Sequence, residues 1–432
     1  MSKTETRTIQ PAARLAGEFT VPGDKSISHR AIMFASLAEG QSRVHGLLRG
    51  EDCMSTLKAF QQLGIEILDQ ADDELIIHGR GLRGLQEPNN VIDCGNSGTT
   101  MRLMSGILAA QPFFSVLTGD QYLRQRPMKR IIDPLTAMGA KISGRENATK
   151  APLAINGGNL ETMEYQSPIA SAQVKSALLL AGLQINGTTT VFEPHLSRDH
   201  SERMLRSFGA EVAVFPGGAR VTGPAHLRAQ DVRVPGDISS AAFFLVAGLI
   251  VPNSELLIKN VGVNPTRSGV IDILRLMGGS IELTNQRELS GEPVADLLVK
   301  SSALQGIDIA GELIPRAIDE FPVISVAAAF AEGVTTIREA KELRVKETDR
   351  IAAICETLSA LGGNITPLAD GMRIEGRETL RGASVRSFGD HRIAMSLAVA
   401  ALRADAAVSI SDTACTETSF PGFWQLLEKI QG

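Results

Sequence analysis

The stretch QQLGIEI, Gln61–Ile67, closes one structural pattern and opens another. Up to its glycine, DCMSTLKAFQQLG carries apolar residues at helical spacing; beyond it, Ile65 and Ile67 flank Glu66 in the alternation of a strand. Glycine is the residue expected where a helix ends in the left-handed region. The same order of apolar residue, Gly, small or aliphatic residue, any residue, then Ile or Val returns as MGAKI at Gly139, FGAEV at Gly209, MGGSI at Gly278 and LGGNI at Gly362. Intervals of 75, 70, 69 and 84 residues separate the five copies.

A second signature runs in phase with the first. A polar or small cluster leads into a strongly apolar helix in KSISHRAIMFASLAEG, NSGTTMRLMSGILAA, SAQVKSALLLAGL, DISSAAFFLVAGLI, DEFPVISVAAAFAEG and DHRIAMSLAVAALRA. Taking Ser26, Ser97, Ser171, Ser239, Glu320 and His391 as markers, the spacings are 71, 74, 68, 81 and 71. Six repeats of roughly 70 residues follow, each with two helices and several short strands. The first helix of each repeat is apolar nearly all round and is expected inside a domain; the second is amphipathic and is expected outside.

At 432 residues the chain exceeds what a single core usually holds, so three repeats per domain is the natural division. FTVPGDKSIS, Phe19–Ser28, and VRVPGDISS, Val232–Ser240, each read as strand, Pro-Gly and helix start. They are taken as two strands crossing between domains, near 20–23 and 233–237. One domain is then discontinuous, 1–22 plus 236–432, and the other is 23–235.

Net charge is −5, and aromatics are sparse at 15 Phe, 2 Tyr and 1 Trp, so the chain offers no basic footprint for nucleic acid or an anionic membrane. Four cysteines without CxxC spacing, an amino terminus lacking a signal-like apolar run, and no unbroken apolar window of about 18 residues point to the cytoplasm. Any anion site must be local.

The charge sits at helix starts, where unsatisfied N–H groups and the helix dipole already favour an anion. GDKSISHR offers Lys25, Ser26 and Arg30; CGNSGTTMR offers Gly95, Asn96, Gly98 and Arg102; LTGDQYLRQRPMKRI offers Arg124, Arg126, Lys129 and Arg130. LSRDHSERM, IPRAIDEFPV, RVKETDR and FGDHRIAMS add Arg198, Asp319, Glu320, Lys346, Glu347, Arg350 and Arg392. A cation at the positive end of a helix costs about 0.3–1 kcal/mol. Seven of them, Lys25, Arg30, Arg126, Arg198, Lys346, Arg350 and Arg392, in an acidic protein favour one polyanionic ligand over seven accidents. Ordinary N-capping would explain Asp319 and Glu320, and a favourable first-turn carboxylate would explain Glu347. In a helical first turn Lys346 and Arg350 would share a face.

No HExxH, no His/Cys cluster at metal spacing, no GxSxG and no GxGxxG after the first strand is present, so neither a metal nor a cofactor is expected. Transfer chemistry on phosphorylated or carboxylated small molecules remains, with Lys, Asp and Glu carrying protons.

GDKSISHRA, GNSGTTMRL, RQRPM, SAQVKSALLLAGL, RVKETDR and GDHRIAM, in this order, resemble the 5-enolpyruvylshikimate-3-phosphate synthases of the enolpyruvyl transferase family, from about Ile9 to Phe423. The resemblance implies a two-domain inside-out α/β barrel of six βαβαββ repeats, three per domain, with buried central helices. It implies transfer of the enolpyruvyl group of phosphoenolpyruvate to the 5-hydroxyl of shikimate 3-phosphate, by addition and elimination through a tetrahedral intermediate, on the shikimate pathway to aromatic amino acids. By the same resemblance, Lys25, Ser26, Arg30, Ser171, Ala172, Gln173, Arg198, Asp319 and Lys346 bind shikimate 3-phosphate. Lys25, Asn96, Gly98, Arg126, Gln173, Arg350 and Arg392 bind phosphoenolpyruvate. Asp319 takes the 5-hydroxyl proton, Glu347 protonates the methylene carbon, and Lys25 with the arginines steadies the departing phosphate. The site is expected between the domains, closing on ligand, in a monomer.

Three positions depart from a better-known branch of the family: Thr418 stands where that branch has Lys, Leu103 where it has Pro, and Ala172 where it has Ser. They bring the chain nearer a branch with glyphosate-tolerant members, while Gly98 keeps the small residue at a position linked to tolerance, and glyphosate is kept as a candidate inhibitor. The related transferase acting on UDP-N-acetylglucosamine commonly has a loop cysteine; GDQYLRQRPM has none, and Lys25 is followed by Ser rather than Asn. A non-catalytic binder of phosphorylated metabolites would account for the cations but would have no need of Asp319 and Glu347 as proton carriers.

Overall fold

The computed structural model describes residues 5–70 and 73–432; residues 1–4 of the expected 1–22 segment, together with 71 and 72, lie outside it. The glycines of the repeated signature end their helices in one way. Gly64, Gly139, Gly209, Gly278 and Gly362 have φ of +84°, +101°, +91°, +90° and +78°. The glycine amide donates three residues back, as from Gly64 to Gln61 at 3.1 Å, and the next amide donates five back, as from Ile65 to Phe60 at 3.0 Å. This double bond satisfies carbonyls that the helix end would otherwise orphan, and a Cβ in that backbone region would be strained.

Among the described residues the strands form six sheets, one per repeat. In the second repeat the spatial order is Ile92–Asp93, Phe114–Thr118, Lys150–Asn156, Lys141–Gly144. The first pair is parallel and the other two are antiparallel. Parallel neighbours need a crossover, here the helix Gly98–Ala109, whereas the last two strands form a hairpin after the helix Lys129–Ala137.

The first and fourth repeats exchange their opening strands. Ala16–Thr20 precedes the helix Lys25–Leu37, yet it pairs in parallel with Glu255–Gly262, Phe19 opposite Ile258. Asp231–Arg233 precedes the helix Ile238–Ile250, yet it pairs in parallel with Glu39–His45, Val232 opposite Val44. The sixth sheet has three strands, and its antiparallel partner for Val408–Ser411 is Thr6–Ile9 from the other end of the chain.

The chain divides into two compact units: the part up to Pro22 with Gly236–Arg287 and Pro293–Gly432, and Gly23–Pro235 with Glu288–Glu292. The segment 236–432, read as unbroken from sequence, thus gives up five residues. Their attachments explain it: the Arg233 amide donates to Ser290 Oγ at 3.0 Å, and His200 Nδ1 lies 2.8 Å from Glu292 Oε1. At the two VPGD sequences the bonding is reciprocal. Asp24 N donates to Pro235 O at 2.8 Å in one unit, and Asp237 N donates to Pro22 O at 2.9 Å in the other.

Each unit is built on three central helices. Lys25–Leu37, Gly98–Ala109 and Ala172–Gly182 serve one, and Ile238–Ile250, Phe321–Ala329 and His391–Ala401 serve the other. Every residue of the last three is buried, as their all-round apolarity requires. The second helices bury one side: Glu51–Gln62 buries Cys53, Thr56, Leu57, Ala59 and Phe60 and leaves Glu51 and Lys58 exposed. No helix among the described residues is long and apolar enough to cross a membrane.

Candidate active site

In the unit holding the fourth to sixth repeats, RVKETDR does not begin a helix at Lys346. A 3-10 turn covers Lys341–Val345, Lys346 is extended, and the helix runs Arg350–Ala360. Asp349 sets that start, its carboxylate accepting from Ala352 N at 3.0 Å. The expected shared helical face of Lys346 and Arg350 is therefore absent. The residues meet by another route: Asp319 Oδ1 lies 3.2 Å from Lys346 Nζ and 3.6 Å from Arg350 Nη1. Arg350 Nη2 donates to Glu347 Oε2 at 2.7 Å.

Arg350 is 1% exposed, and its Nε donates to Asp390 Oδ2 at 2.8 Å. Asp390 also caps the helix His391–Ala401, accepting from Arg392 N at 2.8 Å. Burial opposes both charges. The carboxylates of Asp390, Glu347 and Asp319 nonetheless raise the Arg350 pKa, and Arg350 holds Asp390 below the usual carboxylate range. Arg392 donates through Nη1 to the Asp319 carbonyl at 3.0 Å. Glu320 makes no capping bond, contrary to the simple reading; its Oε1 receives the Ser239 hydroxyl and lies 3.3 Å from Arg267 and 3.6 Å from Arg392.

In the other unit, Lys25 is the first residue of its helix, capped by Asp24, and its Nζ lies 3.2 Å from Asp52 Oδ2. Arg126, in the loop before Lys129–Ala137, donates to Asn96 Oδ1 at 2.9 Å, and Asn96 donates to Asp120 Oδ2 at 2.7 Å. Arg102 donates to Gln173 Oε1 at 2.7 Å, and Gln173 donates to Thr99 Oγ1 at 3.1 Å. A Cβ on Gly98 would stand 2.8 Å from Arg102 Nη1 and 3.3 Å from Arg126 Nη1, so this bare helix start is walled by guanidinium groups. Asn96, Gly98, Arg126 and Gln173 are thus brought together.

Arg30 lies in the second turn of its helix rather than at the start. It donates through Nε to Ser201 Oγ at 2.8 Å, through Nη2 to Ser176 Oγ at 2.9 Å, and through Nη1 to the Ser26 carbonyl at 3.0 Å. Burial and the nearby charge of Arg198 push its pKa down to about 10 against the pull of Glu202 and Asp24. Ser171 caps the helix Ala172–Gly182, of which Ala172 and Gln173 are the first two residues. Beneath these groups runs a buried chain: His29 Nδ1 to Thr56 Oγ1 at 2.7 Å, Thr56 to Thr100 at 2.6 Å, Thr100 to Ser97 at 2.7 Å. Burial lowers the His29 pKa to about 3.

Of the seven cations, Lys25 and Arg350 open helices and Arg392 is second in its helix. Arg198, Arg126 and Lys346 occupy the irregular segments that lead into helices. The sequence singled out neither Asp52, Arg267 nor Asp390, and it offered Arg102 and Glu320 without a role at the site. A signal existed for Asp390: Gly-Asp recurs before three central helices, at Asp24, Asp237 and Asp390, and each of these carboxylates caps its helix. Thr418, where the related branch has Lys, lies in the 3-10 segment Thr413–Thr418 and donates to the Cys415 carbonyl at 2.7 Å.

The family model for EPSP synthase (3-phosphoshikimate 1-carboxyvinyltransferase) matches residues 9–427. A 3-phosphoshikimate 1-carboxyvinyltransferase of Syntrophotalea carbinolica is 64% identical over 428 residues, covering 99% of each chain. One of Geobacter metallireducens is 62% identical over 423 residues, covering 98% of each. The solved structure of EPSP synthase from Acinetobacter baumannii has a TM-score of 0.90 at 45% identity, covering 99% of this chain and 98% of that one. With motifs, repeat architecture and relatives in agreement along nearly its whole length, the chain belongs to the EPSP synthase family.

Proposed function

We propose that the chain transfers the enolpyruvyl group of phosphoenolpyruvate to the 5-hydroxyl of shikimate 3-phosphate, releasing phosphate, on the pathway to aromatic amino acids. It is an enzyme of the 3-phosphoshikimate 1-carboxyvinyltransferase class, with both metabolites as substrates.

The observation that carries the division of labour is the Asp319 carboxylate, 3.2 Å from Lys346 and 3.6 Å from Arg350. On the family resemblance, Lys346 faces shikimate 3-phosphate and Arg350 holds the phosphoenolpyruvate carboxylate. A base beside both cations is suited to take the proton of the hydroxyl that attacks. Glu347, 2.7 Å from the same Arg350, is suited to the other end of the double bond. Asp319 accepts the 5-hydroxyl proton as that oxygen bonds to the substituted carbon, and Glu347 gives a proton to the methylene, making it methyl. In the second step the Glu347 carboxylate removes a methyl proton and the C–O bond to phosphate breaks. Fixed donors, Lys25 and Arg126 among them, stabilise the leaving charge without reorganising. Arg350 and Arg392 orient a carboxylate by forked donation. Ser26, Arg30, Ser171, Ala172, Gln173 and Arg198 take shikimate 3-phosphate, and Asn96, Gly98 and Gln173 take phosphoenolpyruvate.

The enzyme acts as a monomer in the cytoplasm, and glyphosate competes at the phosphoenolpyruvate groups. Phosphate release from phosphoenolpyruvate tests the reading: release is expected only with shikimate 3-phosphate present and is slowed by glyphosate. Release with UDP-N-acetylglucosamine instead, or binding of both metabolites without release, overturns it.

A further inference from the structure

Ser197 and Arg198 lie in the irregular segment between the strand Gly187–Phe192 and the helix His200–Ser207. Such a segment is ordinarily loose, yet Ser197 is held at every polar atom. Its amide donates to Glu193 Oε1 at 2.9 Å and its hydroxyl to Glu193 Oε2 at 2.5 Å. Its carbonyl accepts from Lys175 Nζ at 3.5 Å. The same ammonium lies 2.8 Å from Glu193 Oε1 and 2.8 Å from Glu202 Oε1. All three charged side chains are at most 2% exposed.

A buried ammonium with two carboxylates is a costly way to fill space, because well-packed apolar side chains commonly stabilise as well or better. What the charged set supplies is direction. Lys175 is one turn along from Ser171, whose carbonyl accepts its amide at 3.0 Å. Glu202 follows Ser201, which with Ser176 holds Arg30 at 2.8 and 2.9 Å. Glu193 grips the residue immediately before Arg198. The triad therefore ties together three neighbourhoods, those of Ser171, Arg30 and Arg198, all assigned above to one phosphorylated substrate. The charge of Arg198 opposes that of Arg30, so an anion shared by the two would relieve it.

We infer that Glu193, with Lys175 as its counter-ion, is a positioning residue for Arg198: by fixing Ser197 it presents the Arg198 guanidinium to the phosphate of shikimate 3-phosphate. The inference rests on the substrate assignment of the preceding section. Steady-state phosphate release tests it in Glu193→Gln, Ser197→Ala, Arg198→Ala and the double variants. Expected is a rise in KM for shikimate 3-phosphate of about tenfold in E193Q and about threefold in S197A, with KM for phosphoenolpyruvate within about twofold. Adding either change to R198A should raise that KM no further, since the guanidinium they position is gone. Should E193Q fail to fold, S197A with its R198A double variant carries the same test. An unchanged KM for shikimate 3-phosphate in E193Q and S197A, or effects that multiply with that of R198A, overturns the inference while leaving the reaction intact. A wild-type protein that releases no phosphate overturns the reaction and this inference with it.

Discussion

Arg350 Nε donates to Asp390 Oδ2 at 2.8 Å, joining the first residue of one helix to the cap of another with both side chains out of water. The pair fixes a cation where its remaining N–H groups reach Asp319 and Glu347. Asp390→Asn leaves the guanidinium buried against a weaker acceptor. Denaturant unfolding at neutral pH is expected to show a loss of about 3 kcal/mol, and KM for phosphoenolpyruvate should rise with it.

Glu347→Gln keeps the size and one acceptor but cannot give or take the carbon-bound proton. Turnover is expected to fall by roughly 10²-fold or more, while shikimate 3-phosphate binding by calorimetry stays nearly the same. Full turnover in this variant removes Glu347 from proton transfer.

Gly98→Ala brings a methyl to 2.8 Å from Arg102 Nη1. That nitrogen is at the far end of a flexible side chain, so the fold tolerates the change, but Arg102 must withdraw from Gln173. KM for phosphoenolpyruvate is expected to rise about tenfold with a smaller effect on kcat, because displacement of orienting groups by a fraction of an ångström is felt in substrate alignment. Equal KM values in variant and parent would show that Arg102 does not transmit the displacement.

His29 is buried, and its Nε2 has no hydrogen-bond partner among the described residues. With a folded pKa of about 3 against 6.5 in the free side chain, the unfolded chain takes up a proton below pH 6.5 that the folded one refuses. Stability is therefore complete above pH 6.5 and falls as pH drops towards 3, by about 2 kcal/mol at pH 5 from this group. Urea midpoints at pH 7 and pH 5 should diverge less in His29→Gln than in the parent; an identical divergence assigns the acid sensitivity elsewhere.

The six repeats were legible because five of them are punctuated by a glycine such as Gly209 or Gly362 that no other residue replaces cheaply, and because a helix apolar on every side, such as Ile238–Ile250, has only one place to go. The charged residues were legible as types out of place. Their partners were not: Asp319 with Lys346, or Lys175 with Glu193 and Glu202, are long-range meetings that no local spacing encodes. RVKETDR misled for a related reason. Two candidate helix starts competed, and Asp349, a better cap than anything near Lys346, decided between them. The same holds for Thr6–Ile9, in which nothing says that its partner lies some four hundred residues away in Val408–Ser411.

The exchange of Ala16–Thr20 and Asp231–Arg233 bears on how the polypeptide is made. A ribosome delivers Ala16–Thr20 early, but its partner Glu255–Gly262 emerges roughly 235 residues later, and Thr6–Ile9 waits longer still for Val408–Ser411. The nascent chain must carry these segments without their partner strands until Glu255–Gly262 and Val408–Ser411 have been made. Shielding by chaperones during that interval would act on the first twenty residues, and a fragment beginning at Gly236 would lack two of the strands its own sheets require.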